Sequence, residues 1–311
     1  MAKKIEGITL YTTSECNLDC IYCYARDLRE YNSCFTMPEW EGIISQARTM
    51  GAKWVIFAGP GEPLLDDMNF KLIKYANALG MKSILFTNGT LITEPIAEDL
   101  FSASVDITVK MPSFNPQIYN LLSGSQNSLR WVDYEFKYKD TELKYPIPLY
   151  LYILLKKYKG ASRRKKCSLR IESVITKYNL RCLVDIAKFI QAHGLGFLFE
   201  TLIFNNSRDF DRLIPGEKDY LFLFRELKKC LGWRFIVGQN QYKCRIRRNP
   251  VILQNGDIML CLVEEGKIGN IQQNNLGELW QRRLSIKDES LKYKRFCGFR
   301  NCLGRQSCNK R

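Results

Sequence analysis

Six short apolar runs recur along the first two thirds of the chain, at residues 8–13, 54–59, 83–88, 105–111, 169–176 and 197–204. Their length and side chains read as buried strands. Amphipathic segments of helical length lie between most of them, at residues 38–50, 68–79, 94–102 and 180–193. Pro38 and Pro95 stand where first-turn prolines belong, and Gly80 and Gly194 where helices stop. Strand–helix units in series admit few arrangements, because parallel strands need crossover connections of one hand. The expected fold class is α/β, with a parallel sheet curled into part of a barrel.

A chain of 311 residues makes one large domain or two modest ones. Hydrophobic residues at 46% and charged residues at 25% describe a globular chain rather than a disordered one. The longest apolar stretch, residues 146–155, falls short of the ~20 residues that span a bilayer. Residues 1–6 lack the apolar segment and cleavage site of a signal peptide. A soluble, cytoplasmic protein without a membrane partner is expected. The net charge of +15 favours anionic partners such as nucleic acid, an acidic protein or a phosphorylated substrate. A basic surface kept for solubility gives the same number. Twelve cysteines stand beside one histidine, His193. In a long chain with no export signal, clustered cysteines point to metal rather than to disulfides.

The loops after the strands carry the chemistry. Cys16-x3-Cys20-x2-Cys23 follows the first, Gly59-Pro60-Gly61-Glu62-Pro63 the second, and Thr87-Asn88-Gly89 the third. In parallel α/β folds the carboxyl ends of the strands share the ligand-binding face, so these loops should converge on one mouth. Three thiolates can hold three irons of a [4Fe–4S] cube and leave the fourth open. Zinc would ask for a fourth Cys or His close in sequence, and none is there.

On the cysteine loop, with Tyr22 before its last cysteine, and the glycine loop one unit later, residues 6–205 resemble the radical S-adenosylmethionine (SAM) superfamily. The resemblance implies a partial (β/α)6 barrel in which Cys16, Cys20 and Cys23 ligate the cluster and the open iron binds SAM. Gly59–Pro63 resembles the family's GGEP motif, with Pro60 in place of a glycine. It implies that Gly61 allows close backbone approach and that Glu62 accepts from the methionyl amine. Asn88 falls where the family contacts the nucleoside, Thr108 or Lys110 at the next strand end, and Tyr22 near the adenine. The implied chemistry is reductive SAM cleavage and hydrogen-atom abstraction from a substrate. His193, before Gly194, reads as a helix-end residue rather than a catalyst, and no catalytic acid or base stands out among Cys34, Cys167 and Glu200.

In the carboxyl third, Cys244 is followed by Asn255-Gly256, a two-residue hairpin signal, and then by Cys261. This opening resembles SPASM and twitch domains, a likeness that Cys297, Cys302 and Cys308 continue. Five cysteines rather than seven imply one auxiliary [4Fe–4S] cluster, with Cys244 and Cys261 among its ligands. The expected division is a barrel over residues 1–207, interrupted by an insertion at about 112–166, and a small α+β cysteine-rich domain over 208–311.

Within the insertion, residues 116–123 can form a helix, residues 134–139 mix aromatics with lysines, and residues 156–166 are strongly basic. That mixture reads as a half-buried strand and a solvated loop, or as a base-stacking surface, a lid or a partner surface. The resemblance implies a peptide or small natural product as substrate and an acidic electron donor such as flavodoxin or ferredoxin. With the cysteine loop at residue 16, a peptide substrate is expected to need direct docking or a separate recognition protein. An RNA-modifying enzyme and a non-enzymatic iron–sulfur protein are the alternatives.

Overall fold

All six expected strands form and pair side by side. They are β1 (Gly7–Tyr11), β2 (Trp54–Ala58), β3 (Lys82–Thr87), β4 (Asp106–Lys110), β7 (Leu169–Ile175) and β8 (Gly196–Thr201), in that order and all parallel. The computed structural model describes residues 5–30, 34–125, 129–161, 167–202, 210–232, 249–260 and 266–282.

Register follows the apolar pattern. Ile8 sits opposite Val55, Leu85 opposite Ile107, and Val109 opposite Ile171. All six of those side chains are fully buried. Helices α1 (Met37–Thr49), α2 (Met68–Ala78) and α3 (Glu94–Ser102) fill the first three crossovers. Glu39 Oε2 accepts from the Thr36 backbone N–H at 2.7 Å, which with Pro38 fixes where α1 begins. Gly194, at φ 64°, closes α6 (Leu180–His193) in the left-handed conformation that glycine adopts most readily.

The insertion is a crossover with extra parts. It contains α4 (Pro116–Ser123), a hairpin of β5 (Trp131–Tyr138) and β6 (Thr141–Pro148), and α5 (Leu149–Ala161). Of the residues mixed with lysine, Tyr134 and Phe136 turn their rings onto Phe189 and His193 of α6, at 5.3–5.9 Å. The alternation is that of a half-buried strand. His193 sits 4.6 Å from Phe189, and burial pulls its pKa down to about 4, so it belongs to this aromatic cluster at the end of α6.

Two further helices are α7 (Phe210–Leu213) and α8 (Glu217–Leu231). The described carboxyl-terminal strands extend the same sheet. β9 (Val251–Ile252) pairs parallel with β1, and β10 (Asp257–Met259) and β11 (Lys267–Asn270) continue outward antiparallel. The β9–β10 turn runs over residues 254–256, one residue more than Asn255-Gly256 suggested. Leu253 pairs with Asp257, and Gly256 takes φ 86° with its N–H on Leu253 O. The last described helix, α9 (Leu276–Arg282), docks through the Leu276 N–H on Gln46 of α1 at 3.0 Å. Among the described residues, no helix is long and apolar enough to cross a membrane.

Candidate functional site

The loops after β1, β2 and β3 meet at the carboxyl edge of the sheet, around a cavity of about 310 Å³. Cys16, Cys20 and Cys23 line it together with the Gly59–Pro63 turn and Asn88. Their convergence follows from strand order alone, since β1, β2 and β3 are neighbours.

Gly61 is required by chain packing. A Cβ there would run into the backbone of Glu15 and Thr13, and the next N–H, of Glu62, donates to Glu15 O at 2.7 Å. The glycine turn is therefore pressed against the start of the cysteine loop. Glu62 is 2% exposed and binds the third loop. Its Oε1 accepts from Thr87 Oγ1 at 2.6 Å and Leu64 N at 3.1 Å, and its Oε2 from Asn88 N at 2.7 Å. Burial pushes its carboxyl up, opposed by those donors. Asn88 in turn donates to Asn17 Oδ1 at 2.8 Å, inside the cysteine loop. One hydrogen-bonded ring thus joins all three loops.

Burial pushes the Cys20 thiol up to about 12 and raises that of Cys16 as well. Thiols buried in this way ionise against a cation, which bound iron supplies. Among the described residues, no three His, Cys, Asp or Glu side chains converge on one ion. An iron–sulfur cube gives each thiolate its own iron, so its three thiols need not converge on one ion. The donor set fits such a cluster. Tyr22 lines the same cavity, with its hydroxyl against Cys20 and its ring against the cluster of Leu122, Leu202 and Leu213.

Across the cavity stand groups that no local motif marks. Lys110, at the end of β4, pairs with Glu172 of β7 at 2.8 Å, and Glu200 of β8 completes the wall. The Lys110 side chain is 35% accessible, but that surface opens on the cavity. Burial would pull the Lys110 ammonium down, and Glu172 and Glu200 outweigh it and hold it up. Burial, with the charge of Glu172 beside it, pushes the Glu200 carboxyl up to about 8. Neighbouring Tyr11 and Tyr24 meet hydroxyl to hydroxyl at 3.1 Å and also line the cavity.

Other expected residues lie elsewhere. Thr108 is fully buried, within reach of Arg170 Nη1 at 3.4 Å, and does not line the cavity, whereas Lys110 does. Cys167 is buried two residues before β7, and Cys34 is exposed, donating to Gln254 O at 3.2 Å. Of the three catalytic candidates, Glu200 alone faces the cavity. Cys244, Cys261, Cys297, Cys302 and Cys308 lie outside the described residues. Arg29, which the sequence left unmarked, lines the cavity and comes within 3.7 Å of Cys23 Sγ. Its only signal was its position a few residues past the cysteine loop.

The fold and this mouth define a class: parallel α/β partial barrels with a cysteine-rich loop after the first strand. Residues 10–133 match the radical SAM superfamily, and residues 244–309 match the SPASM family, an iron–sulfur cluster-binding domain. The chain therefore carries a radical SAM domain and, carboxyl-terminal to it, a SPASM domain. A radical SAM domain binds SAM and a [4Fe–4S] cluster, and the SPASM domain binds iron–sulfur.

Among curated proteins, an S-adenosylmethionine-dependent nucleotide dehydratase of Selenomonas ruminantium is 28% identical over 130 residues, which are 41% of this chain and 47% of that protein. The match thus spans about half of that relative. An uncharacterised protein of Methanocaldococcus jannaschii is 27% identical over 296 residues, 88% of this chain and 92% of its own. Among solved structures, Streptococcus suis SuiB bound to its precursor peptide SuiA superposes with a TM-score of 0.65 at 18% identity, covering 89% of this chain and 64% of SuiB. The protein anSMEcpe, with bound AdoMet and Cp18Cys peptide, gives 0.65 at 17% identity, covering 94% and 87%. At such identities these two likenesses concern the fold.

Proposed function

We propose that the chain reductively cleaves SAM and uses the resulting radical to tailor a ribosomal peptide or a small natural product. The observation that carries this reading is the single cavity shared by the three loop thiols, the glycine turn and the Lys110–Glu172–Glu200 wall. Cys16, Cys20 and Cys23 would hold the cluster. A cluster held there would supply the electron for reductive SAM cleavage, and so for hydrogen-atom abstraction from the substrate.

The protein's own part is to orient and to enclose. The Gly59–Pro63 turn and Asn88 border the position for SAM, and the ring through Glu62 keeps their loops in register. The far wall offers a protonated Glu200, a Glu172 carboxylate and the Lys110 ammonium to the polar groups of a ligand. Tyr11 and Tyr24 add bulk that excludes water. The barrel is assigned to residues 1–207 and the auxiliary domain to 208–311. One auxiliary [4Fe–4S] cluster is assigned to Cys244 and Cys261 with ligands from Cys297, Cys302 and Cys308.

A peptide substrate is favoured because the two structural relatives solved with peptides, SuiA and Cp18Cys, superpose on 89% and 94% of the chain. The likeness to the nucleotide dehydratase is confined to 130 residues. The basic surface suits docking of an acidic electron donor such as flavodoxin or ferredoxin.

Anaerobic purification, with iron and sulfide counted per chain and a dithionite-driven SAM-cleavage assay, tests the reading. About eight irons with 5′-deoxyadenosine released support it. Zinc in place of iron, with SAM intact, overturns it.

A further inference from the structure

Arg29 lies in a single 3-10 turn, Arg26–Glu30, directly after the cysteine loop. Its side chain is 20% exposed, and each of its three guanidinium nitrogens has a separate partner. Nε donates to Pro60 O at 2.8 Å, Nη1 to Leu18 O at 3.1 Å, and Nη2 to Cys23 Sγ at 3.7 Å. Two of these partners belong to the cysteine loop and one to the glycine turn. Among the described residues the only carboxylate in reach, Asp19, is 68% exposed, 3.9 Å from Arg29, and closer to Arg26 at 2.9 Å. The Arg29 charge is therefore spent mainly on two carbonyls and a thiol.

Pro60 gives this contact its logic. It stands where the motif it resembles has glycine, and proline brings a fixed φ and no N–H. What Pro60 offers its surroundings is its carbonyl, and Arg29 takes it. A planar guanidinium can hold three acceptors in fixed directions, which a lysine ammonium on a flexible stem cannot. Hydrogen bonds to cluster sulfurs and nearby positive charge favour the more negative, reduced state of an iron–sulfur centre.

We propose that Arg29 is a positioning residue of the cluster site, one that ties the cysteine loop to the glycine turn and, through its N–H bond to the Cys23 thiolate, raises the cluster's reduction potential. The inference rests on the proposed ligation by Cys16, Cys20 and Cys23. A positive group fixed there eases reduction of the cluster by an electron donor and, by the same amount, makes the reduced cluster a weaker reductant.

The test uses the full chain, reconstituted with iron and sulfide under anaerobic conditions, as wild type, Arg29→Gln and Arg29→Lys. Iron content and far-UV circular dichroism establish that each variant is loaded and folded. Redox titration followed by electron paramagnetic resonance then gives the midpoint of the cluster whose signal changes on adding SAM. That response separates it from any auxiliary cluster.

In Arg29→Gln the ratio of reduced to oxidised cluster at a fixed poise should fall about tenfold, a shift of about 59 mV for one electron. Arg29→Lys keeps the charge but not the fork and should lie between the other two. A fully loaded Arg29→Gln protein with an unchanged midpoint would overturn the inference. So would a lysine variant indistinguishable from glutamine; where the glutamine variant loads poorly, a loaded Arg29→Lys protein with the wild-type midpoint overturns it instead. Wild-type protein with no SAM-responsive cluster would overturn the functional reading instead, before any variant is compared.

Discussion

On the β1–β3 side of the cavity the polar groups sit on loops that bond to one another, largely through backbone atoms. Glu62 N–H meets Glu15 O, Asn88 N–H meets Glu62 Oε2, and Arg29 takes Pro60 O and Leu18 O. On the β4–β8 side the groups stand on strands and are held by opposite charge, with Lys110 and Glu172 at 2.8 Å and Glu200 beside them. The first side is a rigid cradle whose geometry follows from turns. The second is an electrostatic wall whose charge depends on pH. Turns fix the geometry of the cradle through backbone atoms, whereas the wall is set by side chains alone.

The largest expected effect separates the two sides outright. Replacing Cys16, Cys20 and Cys23 together by Ala should abolish 5′-deoxyadenosine release and remove about four irons per chain. The charged wall should persist, and so should the remaining iron. Loss of all iron would show that the two cluster sites are not independent.

Next comes the wall itself. Lys110→Met leaves the buried Glu172 carboxylate without its cation and should cost about 3 kcal/mol in urea unfolding. Adding Glu172→Gln should recover part of that loss. Equal stability of wild type and Lys110→Met would mean that the wall is not held by charge.

On the cradle side, Glu62→Ala strands the buried donors of Thr87 and Asn88. About 2 kcal/mol of unfolding free energy should go with them. Here the sharper readout is iron retention, because the loops lose their common acceptor; a variant that keeps full iron would argue that Arg29 and Asn17 suffice to hold them.

The last effect is a slope with pH rather than a loss at one pH. Glu200 is held up to about 8, against about 4.3 for a free glutamate. Between those values the folded chain keeps a proton that the unfolded chain has released, so stability falls as pH rises through that window. Glu200→Gln should cancel this contribution. Its Tm should match wild type near pH 5 and exceed it by pH 8.5, measured anaerobically by thermal fluorimetry. Parallel Tm curves would show that Glu200 is not protonated at neutral pH.

Legibility in the sequence divides along the same line. The cysteine loop and Gly59–Pro63 were readable because each is contiguous, and because glycine and proline restrict or free the backbone in ways that composition reveals. The close backbone approach expected of Gly61 is made against the backbone of Glu15 and Thr13. Lys110 could be suggested from its place at a strand end, but Thr108 had an equal claim. Two residues on one strand face the same side of the sheet, and only neighbours decide which of them reaches the cavity. The hairpin at residues 254–256 was evident from Asn255-Gly256, while its extra residue depended on Leu253 pairing with Asp257.

By itself the sequence determined the alternation of strands and helices, the parallel sheet that follows from it, and the three loops that had to meet at one edge. These rest on local periodicity and on the fixed hand of the crossovers. Tertiary structure alone decided that Glu172 and Glu200, on the strands that continue the sheet beyond Lys110, would share a wall with it. It also decided that Arg29 would turn back onto Cys23 and Pro60. Charges distant along the chain acquire a common environment only when strand order brings them together, and no spacing rule encodes that order.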